Sequence, residues 1–320
     1  DDIAGFLTTI DTLAPDQPCS FHKDIAHSDN DAAYHDMAGL FGFSEARDSF
    51  HYQCTLRGVH NHKDCLGDFA SRLNAFFHGE HPTRATRFNY TGDLSATTAA
   101  RTIYTGNYII RPDGLKYFIP FATLNLRMAG PVLGRILKSE LKHAFVSANL
   151  PMLHGRTLEA SGRSEFRPGL QVHGDHIDLS GEFERQYYGD VMLFTIETLA
   201  ASGYPQMPFT CDEIEATIEK TDRRLREHYE TIRTQIMQKL ELLKTTTGNT
   251  NSWWNTSTGL DAAIQHLEHF TSNIEHNFGA GAEPFSLIDS VENRSRRLQQ
   301  IASAIGSYPD DMAAWQEALA

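Results

Sequence analysis

Two acidic side chains on one predicted helix are the residues whose types and spacing could do chemistry. Within residues 178–205, apolar side chains recur four and three residues apart, which predicts a helix with one apolar face. Asp190 lies at the edge of that face, and Glu182 lies in the first turn of the helix. A carboxylate on the core side of a helix is costly unless it is paired, protonated or bound to a charged group. Asp190 is therefore either a structural residue that caps a loop or pairs with an arginine of another segment, or a carboxylate that faces a polar ligand.

Local signals predict both ends of this helix. Ser180 can accept hydrogen bonds from the amides of the first turn, where the acidic Glu182 and Glu184 also favour a helix start. The run Ser202-Gly203-Tyr204-Pro205 is typical of a helix end.

Histidine and cysteine are the other candidate ligand types. Half of the sixteen histidines fall in residues 1–90, but their spacing matches no H-E-x-x-H or H-x-H-x-D-H metal motif. Hydrogen-bonded or surface roles are therefore favoured for each of them. The four cysteines form no C-x-x-C pair, so neither a zinc ribbon nor a disulfide framework is predicted. They are expected to be free thiols in a reducing compartment. The cysteines are Cys19, Cys54, Cys65 and Cys211.

Composition limits the class of protein. The chain has 320 residues, 40% of them hydrophobic and 22% charged, as in soluble globular proteins. A formal net charge of −13 argues against a general nucleic-acid binder, because phosphate binding depends on Lys and Arg. The sequence has no apolar run of the roughly twenty residues that cross a bilayer. We therefore expect a cytoplasmic protein with no membrane span and no nucleic-acid partner.

The elements that must position these residues change type along the chain. Short β-branched runs at residues 102–104 and 108–110 predict strands, and Gly106 and Asn107 between them allow close approach of a ligand to the backbone. An apolar extended run over residues 145–154 ends on His154, where strand ends of α/β folds meet their ligands. Residues 212–243 carry an apolar stripe at the helical pitch, and two more helical patterns follow it. These helices predict a bundle or a homodimer.

A succession of five blocks between about residues 100 and 205 resembles bacterial nucleotide-sugar glycosyltransferases of the GT-A type. The blocks are TGNYIIRPDGL, IPFATLNLRMAGPVLGRIL, FVSANLPMLHGRT, EFRPG and DLSGEFERQYYGDVMLFTIETL. The resemblance implies an α/β fold, with a mixed sheet flanked by helices in residues 1–208 and a C-terminal α-helical extension in residues 209–320. It also implies a nucleotide-sugar donor, a small-molecule or glycan acceptor, and Mg²⁺ or Mn²⁺ as cofactor.

The resemblance also implies roles for individual residues. Asp190 and Glu182 would be the catalytic acidic residues beside the acceptor, since a carboxylate there can take or orient the hydroxyl proton. The implied metal ligands are Asp1, Asp2 and His154, and the implied substrate-binding residues are Gly106, Asn107, Arg127 and Arg156. Asp1 and Asp2 would be the end of an acidic motif, so the chain is expected to be part of a longer protein.

Two other functions remain open at this stage. One is a metal-dependent hydrolase built on histidines of the first ninety residues, which tightly bound zinc would indicate. The other is a non-catalytic helical protein that dimerises through residues 212–243, which concentration-dependent helix content would indicate. Stabilisation by a nucleotide sugar together with Mg²⁺ or Mn²⁺ would favour the transferase over both.

Overall fold

The computed structural model describes residues 2–21, 54, 56–78, 95–103, 108–148, 169–174 and 176–320. Within these ranges the protein is mostly helical. The helices are α1 (Asp2–Asp11), α2 (His62–Arg72), α3 (Ala129–Leu141), α4 (Ser180–Ala201), α5 (Cys211–Thr247), α6 (Trp253–Thr256), α7 (Asp261–Phe278), α8 (Glu283–Asp289) and α9 (Val291–Leu319). Short 3₁₀ helices span Leu73–His78, Pro112–Lys116, Ala122–Leu124 and Lys142–Ala144.

The described strands form two small antiparallel sheets. Strand β1 (Thr97–Ala99) pairs with β2 (Val146–Ala148), with Thr98 opposite Ser147. Strand β3 (Gln171–His173) pairs with β4 (His176–Asp178), with Val172 opposite Ile177. The predicted GT-A-like mixed sheet is therefore wrong, because each of these sheets has two strands of three residues and the described ranges are otherwise helical or irregular.

The strands expected near residue 102 do not form at residues 101–103 or 108–110, and the reason is physical. A β-branched run forms a strand only where a neighbouring strand completes its hydrogen bonds. Here the carbonyl oxygen of Arg101 instead accepts a hydrogen bond from Arg135 Nη1 of α3 at 2.7 Å. The backbone of Thr102 lies so close to Gly134 that a Cβ on this glycine would be 2.7 Å from the Thr102 Cα. The segment therefore packs on a helix, and Ile109 in the next run is 93% exposed.

The chain divides into two compact units, each made of three chain segments. Unit 1 contains residues 1–91, 151–179 and 231–283, and unit 2 contains residues 92–150, 180–230 and 284–320. The boundary expected at residue 208 stays a prediction.

The core of unit 1 joins α1, α2 and α7. The rings of Phe6 in α1 and Phe69 in α2 lie 4.2 Å apart, and Phe77 lies 5.5 Å from Phe270 in α7. These rings are almost fully buried, and burial of each contributes about 1.5–3 kcal/mol to folding. Trp253 Nε1 donates a hydrogen bond to the carbonyl of Ile10 at 3.0 Å, which holds α6 against the end of α1.

Two buried asparagines, one helical turn apart on α7, fix strand β4. Asn273 Oδ1 accepts a hydrogen bond from the amide of Ile177 at 2.7 Å, and Asn277 Oδ1 accepts one from the amide of Leu179 at 2.8 Å. Asn277 Nδ2 also donates to the carbonyl of Ile177 at 2.7 Å. The side chains thus replace a neighbouring strand and satisfy backbone groups that burial would otherwise leave without partners.

Unit 2 is organised around α4, which begins at Ser180 and ends before Ser202, as the sequence predicted. Helix α3 packs on it, and Gly189 lets the backbone at Arg127 approach so closely that a Cβ would be 2.6 Å from the Arg127 carbonyl oxygen. Glu184 of α4 accepts hydrogen bonds from Arg297 Nε at 2.9 Å and from Asn293 Nδ2 at 3.0 Å. Burial alone would raise the pKa of Glu184, but these hydrogen bonds and the charges of Arg297 and Arg296 lower it below its usual value.

Candidate metal centre

A single antiparallel bridge in unit 1 brings two distant cysteine-bearing segments together. The bridge pairs Pro18 with Asn61. On either side of it, the amide of Cys19 donates to the carbonyl of His60 at 3.1 Å, and the amide of His62 donates to the carbonyl of Gln17 at 3.2 Å. Cys19 is therefore fixed beside the segment that leads into α2.

The start of α2 is set by a reciprocal cap. Asn61 Oδ1 accepts a hydrogen bond from the amide of Asp64 at 3.1 Å, and Asp64 Oδ2 accepts one from the amide of Asn61 at 2.9 Å. Cys65 is the next residue, so the cap fixes the first helical turn that carries its thiol. The amide of Cys65 itself donates to the carbonyl of Asn61 at 3.1 Å.

Four ligand atoms converge at this point. The sulfur atoms of Cys19, Cys54 and Cys65 and one ring nitrogen of His60 all lie within 4.8 Å of one another. The Cys54 and Cys65 sulfurs are 3.8 Å apart, and the Cys54 sulfur is 3.3 Å from His60 Nε2. A tetrahedral zinc with bonds of about 2.3 Å to sulfur and 2.0 Å to nitrogen would place two sulfurs about 3.8 Å apart and a sulfur and a nitrogen about 3.5 Å apart. The four atoms therefore fit around one tetrahedral cation with small adjustments.

The supporting hydrogen bonds also suit a metal site. His60 Nδ1 lies 2.8 Å from the carbonyl oxygen of Gly58. Because a carbonyl only accepts, Nδ1 carries the proton and Nε2 presents its lone pair to the cluster. Gly58 has a φ of +85°, a conformation that glycine adopts readily. The amide of Phe21 donates a hydrogen bond to the Cys19 sulfur at 3.4 Å.

Burial sets the electrostatics of the centre. Cys65 is fully buried and Cys54 is 8% exposed, whereas Cys19 and His60 are partly exposed. Burial raises the pKa of the Cys65 thiol, and the neighbouring Cys19 and Cys54 raise it further. The three thiols therefore need a cation in order to ionise together, and a bound dication provides that charge.

His62 is a neighbour of the centre with a different role. Its Nδ1 donates to the carbonyl of Ala14 at 2.7 Å, and its Nε2 accepts from the hydroxyl of Ser20 at 3.1 Å. The ring is 2% exposed. Both ring nitrogens thus hold the chain on either side of Cys19, at Ala14 and at Ser20, as expected for a hydrogen-bonded histidine. Five other histidines of the first ninety residues lie outside the described residues: His22, His27, His35, His51 and His81.

Most of the residues assigned from the glycosyltransferase resemblance lie outside the described part of the chain. These are Asp1, Gly106, Asn107, His154 and Arg156, and of Asp2 the backbone alone is described. Their predicted roles as metal ligands or substrate contacts stay predictions.

Glu182 and Arg127, to which the resemblance assigned a catalytic and a substrate-binding role, form an ion pair with each other. Glu182 Oε2 lies 3.0 Å from Arg127 Nη1, and its other oxygen pairs with Arg185. The glutamate is fully buried, whereas both arginines are about three-quarters buried. The two arginines therefore compensate the buried Glu182 charge within unit 2.

Asp190 lies on the core side of α4, as the sequence predicted, and it accepts hydrogen bonds from two neutral side chains. Its carboxylate accepts hydrogen bonds from the Tyr229 hydroxyl at 2.7 Å and from Gln186 Nε2 at 3.0 and 3.1 Å. Burial and the adjacent Asp190 charge raise the pKa of Tyr229 well above its usual value, so the tyrosine stays a donor. Eight residues separate Asp190 from Glu182, which is about 12 Å along the helix. The structure does not bring these two carboxylates to one reacting centre.

Two cavities in unit 2 have volumes of about 470 Å³ and 830 Å³. The smaller is lined by equal numbers of arginine and acidic side chains around Tyr229, Phe285 and Ile288. Neither cavity is lined by Asp190, Glu182 or Arg127. The catalytic roles predicted for Asp190 and Glu182 and the substrate-binding role predicted for Arg127 stay predictions.

We expect Asp190→Ala to lower the free energy of unfolding of unit 2 by about 2–4 kcal/mol, because Tyr229 and Gln186 would keep buried donors without their acceptor. Urea unfolding followed by circular dichroism measures the loss. The exposed Asp310 of α9 provides the control, since Asp310→Ala should change stability by less than about 0.5 kcal/mol. Equal stabilities of the two variants would show that the Asp190 contacts do not stabilise the fold.

The cysteine and histidine cluster was missed in the sequence because its spacing is unusual. Cys54, His60 and Cys65 form a C-x5-H-x4-C run, and Cys19 precedes it by 35 residues. All four cysteines are free, as expected, but the sequence spacing did not predict that three of them converge, because the Pro18–Asn61 bridge joins distant segments. The local signal that could have indicated it is two cysteines and two histidines, Cys54, His60, His62 and Cys65, around the helix cap at Asn61.

Comparison of the chain with protein-family models, curated proteins and solved structures found no match. Within the described residues, every helix is too short or too polar to cross a membrane. The cytoplasmic location and the sugar, glycan and homodimer partners stay predictions.

Proposed function

We propose that this chain is a zinc protein in which Cys19, Cys54, His60 and Cys65 bind one structural Zn²⁺ that stabilises unit 1. The observation that carries this proposal is the convergence, within 4.8 Å, of four ligand atoms from Cys19 and from a second segment that begins 35 residues later at Cys54. Buried cysteines alone pack as small apolar groups. This packing does not account for the ring nitrogen of His60, which lies 3.3 Å from the Cys54 sulfur.

The types of ligand favour zinc over the Mg²⁺ or Mn²⁺ expected from the sequence. Thiolate and imidazole are ligands of Zn²⁺, whereas Mg²⁺ and Mn²⁺ prefer carboxylate, carbonyl and water oxygens. The cluster offers three sulfurs and one nitrogen, with no oxygen ligand among the four side chains.

The number of ligands favours a structural role. Catalytic zinc sites usually have three protein ligands and keep one position open for water or substrate, whereas structural sites are closed by four. Four side chains are available here, so the proposal does not make the metal a hydrolytic centre. A non-catalytic role for the helices remains compatible with it, and glycosyl transfer stays a prediction that the zinc proposal does not require.

The position of the cluster supports a role in folding. The metal would join the segment after α1 to the first turn of α2, which otherwise meet through one bridge and a few hydrogen bonds. Metal binding to a site that exists only in the folded state adds its binding free energy to the free energy of folding.

We expect the purified protein to contain one zinc per chain by elemental analysis, and Co²⁺ substituted for zinc to show the visible absorption of a tetrahedral site with sulfur-to-metal charge-transfer bands. His60→Asn should reduce zinc affinity at least about tenfold, because it removes the nitrogen ligand. The exposed His143 of unit 2 is the matched control, and His143→Asn should retain full zinc content. A protein without zinc whose thiols bind no Co²⁺ would refute the proposal.

A further inference from the structure

We propose that the Cys19, Cys54, His60 and Cys65 cluster is also a peroxide-sensitive switch, in which oxidation of Cys19 and one buried cysteine to a disulfide releases the zinc. This inference rests on the proposed zinc site, and it concerns the regulation of that site.

The solvent exposure of the three cysteines indicates which thiolate reacts first with the oxidant. Cys65 is fully buried and Cys54 is 8% exposed, so a peroxide has little access to either sulfur. Cys19 is partly exposed and lies two residues before Phe21, at the edge of the cluster. Since oxidation of cysteine follows thiolate character and exposure, Cys19 is the point of first attack.

The short distances between sulfur atoms indicate which thiolates can form the disulfide with Cys19. Both buried sulfurs lie within 4.8 Å of the Cys19 sulfur, and a disulfide requires about 2.05 Å. The cluster therefore holds a resolving cysteine next to the oxidised one, as in redox-sensor proteins.

The reaction balances with one peroxide for each zinc released. The Cys19 thiolate attacks one oxygen of hydrogen peroxide, the O–O bond breaks, and the products are a sulfenic acid at Cys19 and a hydroxide ion. A buried thiolate then attacks the Cys19 sulfur, an S–S bond forms, and a second hydroxide leaves. The two sulfurs together lose two electrons, which the peroxide gains. Each hydroxide takes a proton from solvent to become water.

Loss of the metal follows from charge and ligand number. Three thiolates compensate the dication before oxidation, and one remains afterwards together with His60. A disulfide sulfur is a poor ligand for zinc, so two of four ligands are lost. The new covalent link keeps Cys19 beside the cluster, so a thiol reductant can restore the site by breaking the S–S bond.

The test uses the zinc-loaded full chain and a Cys211→Ser variant. Cys211 is the exposed fourth cysteine, it begins α5, and it lies outside the cluster, so its removal should not change zinc binding. Hydrogen peroxide is added, released zinc is measured with a coloured chelator, and disulfides are mapped by mass spectrometry of peptides. We expect both proteins to release at least about tenfold more zinc than untreated samples, with Cys19 in the disulfide, and to rebind zinc after a thiol reductant is added.

Three results would overturn the inference. These are retention of zinc while Cys211 is oxidised, a Cys54 to Cys65 disulfide with Cys19 still a thiol, or zinc release only after irreversible oxidation of Cys19 to the sulfonic acid. Failure of the zinc proposal itself is distinguishable, because the protein would then contain no zinc before peroxide is added.

Discussion

Replacing Cys65 by serine is expected to remove the bound zinc and to destabilise unit 1 more than any other single change at the cluster. Cys65 is fully buried in the first turn of α2, and its sulfur lies 3.8 Å from that of Cys54. A serine hydroxyl there is a poor zinc ligand, and the two remaining thiols and His60 would be left in a partly apolar site. Both the metal and a buried contact are lost.

The size of the effect follows from linkage. If free zinc exceeds its dissociation constant a thousandfold, binding to the folded state alone adds about 4 kcal/mol, and this contribution disappears in the variant. A domain of ordinary stability has about 5–15 kcal/mol in total. We therefore expect unit 1 of Cys65→Ser to be largely unfolded at temperatures where the parent is folded.

Tryptophan fluorescence can report on unit 1 separately. Trp253 and Trp254 belong to unit 1, and Trp254 is 1% exposed, whereas Trp315 belongs to unit 2. In a Trp315→Phe background, urea unfolding followed by fluorescence measures the free energy of unfolding of unit 1. When a strong chelator removes the zinc of the parent, the free energy of unfolding of unit 1 should fall by about 4 kcal/mol. The chelator should not change the free energy of unfolding of Cys65→Ser.

Cys211→Ser in the same background is the control, because Cys211 is exposed and belongs to unit 2. It should keep the parent's stability within about 0.5 kcal/mol and the full response to the chelator. If Cys65→Ser proved as stable as this control, with or without the chelator, the cluster would not hold a stabilising metal.

Local sequence signals predicted the helices well, because the information for a helix lies within a few residues. The apolar positions of residues 178–205 and the signals at Ser180 and Ser202-Gly203 predicted α4, and the stripe over residues 212–243 predicted α5. The buried side of Asp190 was also predicted from the same periodicity. Each of these features depends on the 3.6-residue repeat or on start and stop signals within one helical turn.

The sheet and the cluster could not be predicted in the same way, since both depend on distant partners. The run at residues 102–104 has strand-forming residue types, yet the Arg101 carbonyl is taken by Arg135 rather than by another strand. Cys19 joins the cluster through the Pro18–Asn61 bridge, which no local pattern encodes. Tyr229, the partner of Asp190, follows it by 39 residues on a different helix. Residue types indicated candidate strands and ligands, but contacts between distant segments determined which of them formed.

Replacing Asp222 by alanine is expected to lower the free energy of unfolding of unit 2 by about 3–5 kcal/mol. Asp222 is fully buried on α5, and its Oδ2 lies 2.6 Å from Arg294 Nη2. Its Oδ1 accepts a hydrogen bond from the Tyr187 hydroxyl at 2.8 Å. Removal of the carboxylate would leave a largely buried guanidinium without its counter-charge and a buried tyrosine with a weaker acceptor, the Asp222 carbonyl at 3.1 Å.

The same unit contains a matched ion pair for comparison. Asp289 of α8 lies 2.8 Å from Arg226, but these side chains are 60% and 42% exposed. Exposed pairs contribute little, because water screens the charges and the side chains lose freedom when they pair. Asp289→Ala should therefore lower the free energy of unfolding of unit 2 by less than about 1 kcal/mol, although it also removes a carboxylate from an arginine partner.

Hydrogen exchange of the α4 peptide, residues 180–201, measures the stability of unit 2 without interference from unit 1. Asp222→Ala should speed exchange of its most protected amides by at least about a hundredfold, and Asp289→Ala by less than about tenfold. A third variant separates the two losses: adding Arg294→Met to Asp222→Ala removes the unpaired charge and should recover part of the stability. If the double variant is more stable than Asp222→Ala, the loss of stability in Asp222→Ala is due to the uncompensated Arg294 guanidinium. Equal exchange in Asp222→Ala and Asp289→Ala would instead mean that burial does not distinguish the two pairs, and that Asp222 does not stabilise the contacts between α4, α5 and α9.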